Sequence, residues 1–114
     1  MVNTMELQKK NQDGTTIFKL IGSLDAISAP DTGKQMLHYI DEGNTTIVMD
    51  LSDLEYISSA GLQTILRITR KIKEIDGKLA LAALSSNVAD VIELSGFTLF
   101  LSIFDTVEAA IDSL

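Results

Sequence analysis

The alternation of apolar and polar positions divides the chain into short segments of two kinds. From Met5 to Gln12 and from Thr15 to Ile21 the residues suit extended chain, and Asp13-Gly14 between them is a strong hairpin-turn dipeptide. After Gly22 and Asp25, Pro30 stands where the first turn of a helix tolerates a missing N–H. Ala29, Gly33, Met36, Leu37 and Ile40 then recur at helical spacing, and Gly43 is placed to end that helix. Thr45 to Leu51 is a nearly continuous apolar and β-branched run, the pattern of an inner strand covered on both faces.

After a connection of a few residues, Leu62, Ile65, Leu66, Thr69, Ile72 and Ile75 mark one face of a second helix. Its other face carries Arg67, Arg70, Lys71 and Lys73, and Gly77 closes it after a basic last turn. Lys78 to Leu84 reads as another strand. Ser85-Ser86 are cap candidates for a short helix through Val88, Val91, Ile92 and Leu94 that stops at Gly96. Phe97 to Phe104 reads as a further strand. Asp105 and Glu108 have the N-cap and N3 spacing of a capping box that opens a terminal helix through Ala109, Ala110 and Ile111.

The predicted order is β-β-α-β-α-β-α-β-α. Strands alternating with helices call for parallel crossovers, while the opening hairpin adds an antiparallel pair, so the fold class is α/β with a mixed sheet. With 114 residues and 46% hydrophobic content the chain is expected to form one domain, residues 1–114, with a core that needs no metal or disulfide. No internal repeat or linker divides it.

Composition narrows the function classes. The chain has no cysteine, which removes disulfides, thiolate ligands and a Cys nucleophile, and which fits a reducing compartment. Met1 to Lys10 alternate polar and apolar side chains and include Glu6, so no secretory signal is visible, and no run reaches the roughly 20 apolar residues that span a bilayer. A soluble, cytoplasmic protein without membrane insertion is expected. Sixteen acidic residues against nine basic ones give a formal charge of -7, which repels polyphosphate and argues against nucleic acid as a partner. The same charge is also what keeps a small domain in solution.

Catalytic groups are scarce. The only histidine, His38, lies in the first predicted helix between Leu37 and Tyr39, far in sequence from any serine cluster, and reads as a packed or solvated helix residue. There is no GxxxxGK[ST] or GxGxxG loop, and no HExxH or calcium-loop spacing gathers the carboxylates into a metal site, so no cofactor and no metal are expected. The segment Asp50-Leu51-Ser52-Asp53-Leu54-Glu55-Tyr56-Ile57-Ser58-Ser59-Ala60-Gly61-Leu62 joins the inner strand to the amphipathic helix, and its serines fall at the helix start. A hydroxyl there can cap an unpaired backbone N–H. A phosphoryl group on it would instead face the positive end of the helix dipole and several free donors.

This segment, with its strand, DLS, Tyr-Ile-Ser-Ser-Ala-Gly-Leu and helix, resembles the central signature of STAS domains, specifically the anti-sigma-factor antagonists. Gly22-Ser23-Leu24-Asp25 is similar to the family's G-x-L-D turn after its second strand, and Leu94-Ser95-Gly96-Phe97 to its late L-S-G-[LF] segment. The resemblance covers nearly the whole chain in the right order. It implies a STAS-like fold and a phosphate acceptor two positions before the motif glycine, Ser59, with Gly61 as that glycine. Many members carry an acidic residue just before the acceptor; here Ser58 stands there and is the alternative acceptor.

The resemblance further implies a non-enzymatic partner switch. The unphosphorylated antagonist binds an anti-sigma factor that is also an ATP-dependent serine kinase, and so frees a sigma factor. Phosphorylation ends the complex, and a phosphatase restores the binding form. ATP and magnesium belong to the kinase. Asp25, Ser58, Ser59, Gly61 and Leu62 are the implied partner-binding positions, with Gly61 open to a packing role as well. Two rivals remain: an unphosphorylated STAS scaffold or subunit of a stress-signalling or lipid-transport complex, and a serine hydrolase using Ser59, which lacks G-x-S-x-G and a late histidine.

Overall fold

The computed structural model describes residues 5–114; residues 1–4, part of the segment read for a leader, lie outside the described residues. The opening hairpin is present as β1 (Met5–Gln12) and β2 (Thr15–Leu24), antiparallel, with Gln12 opposite Thr15. Asp13 (φ 51°) and Gly14 (φ 84°) both take the left-handed conformation that a two-residue turn of this twist requires. Then follow α1 (Ala29–Asp41), β3 (Thr46–Asp50), β4 (Leu54–Ile57), α2 (Ser59–Glu74), β5 (Lys78–Ala82), α3 (Ser86–Ser95), a 3₁₀ turn (Phe97–Phe100), β6 (Ile103–Phe104) and α4 (Val107–Ser113).

The six strands form one mixed sheet in the order β1-β2-β3-β5-β6, parallel throughout except for the hairpin. β2 is long enough to take two partners on one edge: β3 lies along Thr16–Lys19 and β4 along Gly22–Leu24, with a register shift between Gly22 and Ser23. Alternation along the strands sorts the core onto two faces. Phe18, Leu20, Ile47, Met49 and Leu81 pack under α1, α2 and α3, whereas Ile17, Val48, Ala80 and Ala82 pack against Ala110 of α4. The small alanines of β5 leave room for that short helix. Ile65, Ile68 and Ile72 are fully buried along the inner face of α2, and at about 1.5–3 kcal/mol per side chain they fix the helix firmly on the sheet.

Three local expectations need correction. Phe97–Phe104 does not form one strand: after Gly96 (φ 80°) the chain winds through the 3₁₀ turn, Leu99 and Phe100 stay exposed, and only Ile103 and Phe104 pair, with Leu81 and Ala82. The run Leu99-Phe100-Leu101 is apolar without alternating, so it never carried the period of a half-buried strand. The terminal helix is capped by Thr106, whose hydroxyl accepts from the Ala109 N–H at 3.0 Å, so the cap pair lies one residue later than Asp105–Glu108. β4 replaces the expected loop. Its burial runs buried-exposed-exposed-buried, which matches neither strand alternation nor a continuous apolar run. No helix among the described residues is long and apolar enough to cross a membrane.

Candidate functional site

β4 delivers the chain from the sheet directly into α2. Ser58, with φ -94° and ψ 175°, is the N-cap, and its hydroxyl accepts from the Gly61 N–H at 3.2 Å while its carbonyl accepts from the Leu62 N–H at 2.9 Å. Its own N–H donates to the Leu24 carbonyl at 3.0 Å, which ties the helix start to the end of β2. The two serines thus have different jobs. Ser58 is half-buried and committed to the cap, whereas Ser59 is the first helical residue, exposed, and none of the described residues hydrogen-bonds its hydroxyl. Ser58→Ala is expected to cost about 1 kcal/mol through loss of the cap, measured by denaturant unfolding; an unchanged midpoint would contradict the capping role.

Gly61 is required by packing. A Cβ on it would lie 2.2 Å from the Leu24 carbonyl oxygen and 2.9 Å from Ile57 Cγ1, because the first turn of α2 presses against the end of β2. Leu62 is 3% exposed and belongs to the main core. The structure therefore places Gly61 and Leu62 beneath the surface, where they hold Ser59 in position, and leaves Ser58, Ser59 and Asp25 as the outward members of the predicted set.

Asp25 sits just beyond Leu24, so the β2–α1 turn and the start of α2 share one end of the sheet. Its carboxylate accepts from the N–H groups of Ser28 and Ile27, each at 3.0 Å, and from the Ser28 hydroxyl at 3.2 Å. These donors, the Ser28 N–H foremost, hold the carboxyl below its ordinary range. The charge closes the turn into α1. Ser28 Oγ donates in turn to the Ser23 carbonyl at 2.8 Å.

Two neighbours escaped the sequence reading. Ile27 is 89% exposed at the tip of that turn, and Tyr56 is 51% exposed on β4, opposite Ser23. Ile27 lies in the β2–α1 turn and Tyr56 on the strand that leads into α2, so both belong to the elements that meet at the Ser59 end of the sheet. Ile27 follows no periodic pattern, and Tyr56 was hidden in a segment read as loop. On the approach side, Lys19 Nζ meets Asp53 Oδ2 at 3.0 Å and the Asp53 carbonyl accepts from the Gly22 N–H, which hold the β3–β4 turn against β2. Asp53, by this hydrogen bond and its charge, raises the Lys19 ammonium pKa above its ordinary value.

His38 is not placed to serve Ser59 as a base. His38 lies in the last turn of α1, exposed and paired with Glu42 at 3.6 Å, at the end of the helix away from the edge of the sheet where Ser59 lies. Among the described residues no three His, Asp or Glu side chains gather to hold a metal.

Comparison with known proteins agrees with this geometry. The STAS domain family model matches residues 6–110. BtrV of Bordetella bronchiseptica, classed as an anti-sigma factor antagonist, is 33% identical over 106 residues, covering 93% of this chain and 91% of its own. The crystal structure of a Thermotoga maritima protein so classed superposes with a TM-score of 0.86 at 26% identity, over 94% of this chain and 92% of that one. The anti-sigma factor antagonist SpoIIAA in its unphosphorylated form gives a TM-score of 0.78 at 25% identity, over 96% and 95%; this Bacillus protein is also solved in its phosphorylated form. With the family model spanning nearly the whole sheet and its helices, and with relatives of matching length, this chain belongs to the STAS domain family, among the anti-sigma factor antagonists.

Proposed function

We propose that this chain is a partner-switching antagonist controlled at Ser59. In its unmodified form it binds an anti-sigma factor serine kinase and thereby releases a sigma factor; phosphoryl transfer from the kinase's ATP to the Ser59 hydroxyl ends the complex, and a phosphatase resets the cycle. Such a cycle runs in the cytoplasm, and the chain takes part as substrate and binding partner without catalysis of its own.

The observation that carries this reading is the division of labour between the two serines. The Ser58 hydroxyl is occupied as a helix cap, and the Ser59 hydroxyl is exposed, without a hydrogen-bond partner among the described residues, and placed at the positive end of a 16-residue helix. A phosphate there meets the dipole and the unpaired N–H groups of the first turn, so the modified chain remains folded. The existence of a phosphorylated SpoIIAA supports the scheme by kinship. Asp25, Ile27 and Tyr56 provide the surrounding contacts: a fixed carboxylate and two exposed apolar side chains of the kind that anchor interfaces.

The test is incubation with the cognate kinase and ATP, followed by mass spectrometry. Ser58→Ala is expected to accept one phosphate, on Ser59, and Ser59→Ala to accept none. Phosphate on Ser58 would reassign the acceptor.

A further inference from the structure

The two edges of the sheet end differently. β6 closes one of them with only Ile103 and Phe104, and a strand that short is one of the ways proteins blunt an edge against further pairing. β1 forms the other edge with eight residues, and its ladder with β2 runs from Met5–Gly22 to Gln12–Thr15 without a bulge. It contains no proline, every residue from Gln8 to Gln12 is exposed, and among the described residues β2 is its only strand neighbour.

The hairpin turn decides which backbone groups that edge offers. The two-residue Asp13-Gly14 turn is closed by hydrogen bonding between Gln12 and Thr15, so by alternation Gln12, Lys10, Gln8 and Glu6 spend their backbone groups on β2. Met5, Leu7, Lys9 and Asn11 turn theirs to the open side, where no described residue meets them. A row of N–H and C=O groups in strand register is the recognition surface for another strand.

The side chains specify which strand. Glu6, Gln8 and Lys10 share one face, where the Gln8 amide donates to the Glu6 carboxylate at 2.7 Å. Lys9 points to the other face, its ammonium 5.1 Å from the centroid of the Tyr39 ring, so it is drawn back over its own domain. Neither Glu6 nor Lys10 has an ion-pair partner among the described residues. Laid antiparallel to itself about Gln8, β1 sets Glu6 opposite Lys10 at both ends of the contact. An axis at Leu7 leaves Glu6 opposite Gln8, an axis at Lys9 sets that lysine against itself, and an axis between two residues mismatches the backbone groups. The strand carries two lysines and one glutamate, so the contact does not set acid against acid in a chain of charge -7.

We propose that the outer edge of β1 pairs antiparallel with β1 of a second copy of this chain, about a two-fold axis through Gln8. The two sheets then continue into one. β4, which leads into Ser59, lies along the other edge of β2, so the pairing leaves both Ser59 ends outside the contact and each pair presents two of these serines.

Sedimentation velocity of the full chain over roughly 0.05–1 mM, at about 0.15 M salt, tests this; a dissociation constant on the order of 0.3 mM is expected for so small an interface. Glu6→Lys and Lys10→Glu each set like charges opposite one another at both ends of the contact and are expected to weaken association at least about tenfold. The charge-swapped Glu6→Lys/Lys10→Glu is expected to restore it. Because the chain lacks cysteine, Gln8→Cys gives a second measurement: under oxidised glutathione it is expected to cross-link to its copy, faster than Lys34→Cys on α1, since residues facing each other on the axis lie within disulfide reach. A chain that stays monomeric throughout that range, a charge swap that fails to restore association, cross-linking at Gln8 no faster than at Lys34, or association abolished by Leu99→Ser/Phe100→Ser in the 3₁₀ turn would each overturn the proposal.

Discussion

Ser59→Asp and Ser59→Glu are expected to keep the native circular dichroism and to melt within about 1 kcal/mol of the parent, while their affinity for the kinase falls by roughly 30- to 5,000-fold. The two halves of this expectation come from opposite sides of one atom. Toward the protein, the side chain meets the N-terminus of α2, where the dipole and the first-turn N–H groups favour an anion. Toward the partner, it is exposed, and covering that surface would strip the charge of water. An uncompensated charge at an interface costs about 2–5 kcal/mol, which is the fold-change stated. A true phosphoserine carries about -1.5 to -2 charges and would act more strongly. Isothermal titration of the kinase with parent and variants measures the effect. Equal affinities would remove electrostatic release as the mechanism.

Gly61→Ala is expected to lower stability by about 3 kcal/mol or more, at the upper end of the range for overpacked sites. The added methyl would stand 2.2 Å from the Leu24 carbonyl oxygen. That oxygen is backbone, already bonded to the Ser58 N–H, and cannot rotate aside as a side chain could. The strain relaxes only by lifting the first turn of α2 from β2, which breaks the tie that positions Ser59. For a domain of this size the loss corresponds to roughly 12 °C in melting temperature. Thermal and urea unfolding measure it directly. A variant that melts with the parent would show that the close approach is not enforced, and would return Gly61 to a contact role.

Much of this architecture was legible because its signals are local. The Asp13-Gly14 turn, the apolar run of Thr45–Leu51 and the 3.6-residue period of Leu62, Ile65, Leu66, Thr69 and Ile72 each report one element. The parts that were not legible depend on partners distant in the chain. β4 is a strand because the far half of β2 lacks a neighbour on that edge, and Ser85 Oγ covers its Leu54 carbonyl at 2.9 Å from the α3 start. The Leu99-Phe100 turn is set by where β5 leaves two residues to pair. At α2 the expected closing glycine plays a different part: the left-handed residue is Asp76 (φ 57°), and Gly77 lets the chain pass the Thr45 carbonyl, which a Cβ would approach to 2.5 Å.

The site shows the same limit. Motif and helix start together narrowed the switch to Ser58 or Ser59, but only the backbone geometry shows which hydroxyl is already occupied. Asp25 was found through the turn motif, and its carboxylate serves that turn through three hydrogen bonds. Ile27 had no sequence signal, and Tyr56, though inside the motif, was not marked as exposed, since exposure is a property of the folded edge.

The central claim is that the unmodified chain frees a sigma factor and the Ser59-phosphorylated chain does not. It is tested most directly by adding each form to a preformed complex of the cognate anti-sigma factor kinase with its sigma factor, and measuring sigma factor release by size-exclusion chromatography. The account predicts release by the unmodified chain and by Ser59→Ala, and none by the phosphorylated chain. Equal release by the modified and unmodified forms would contradict it.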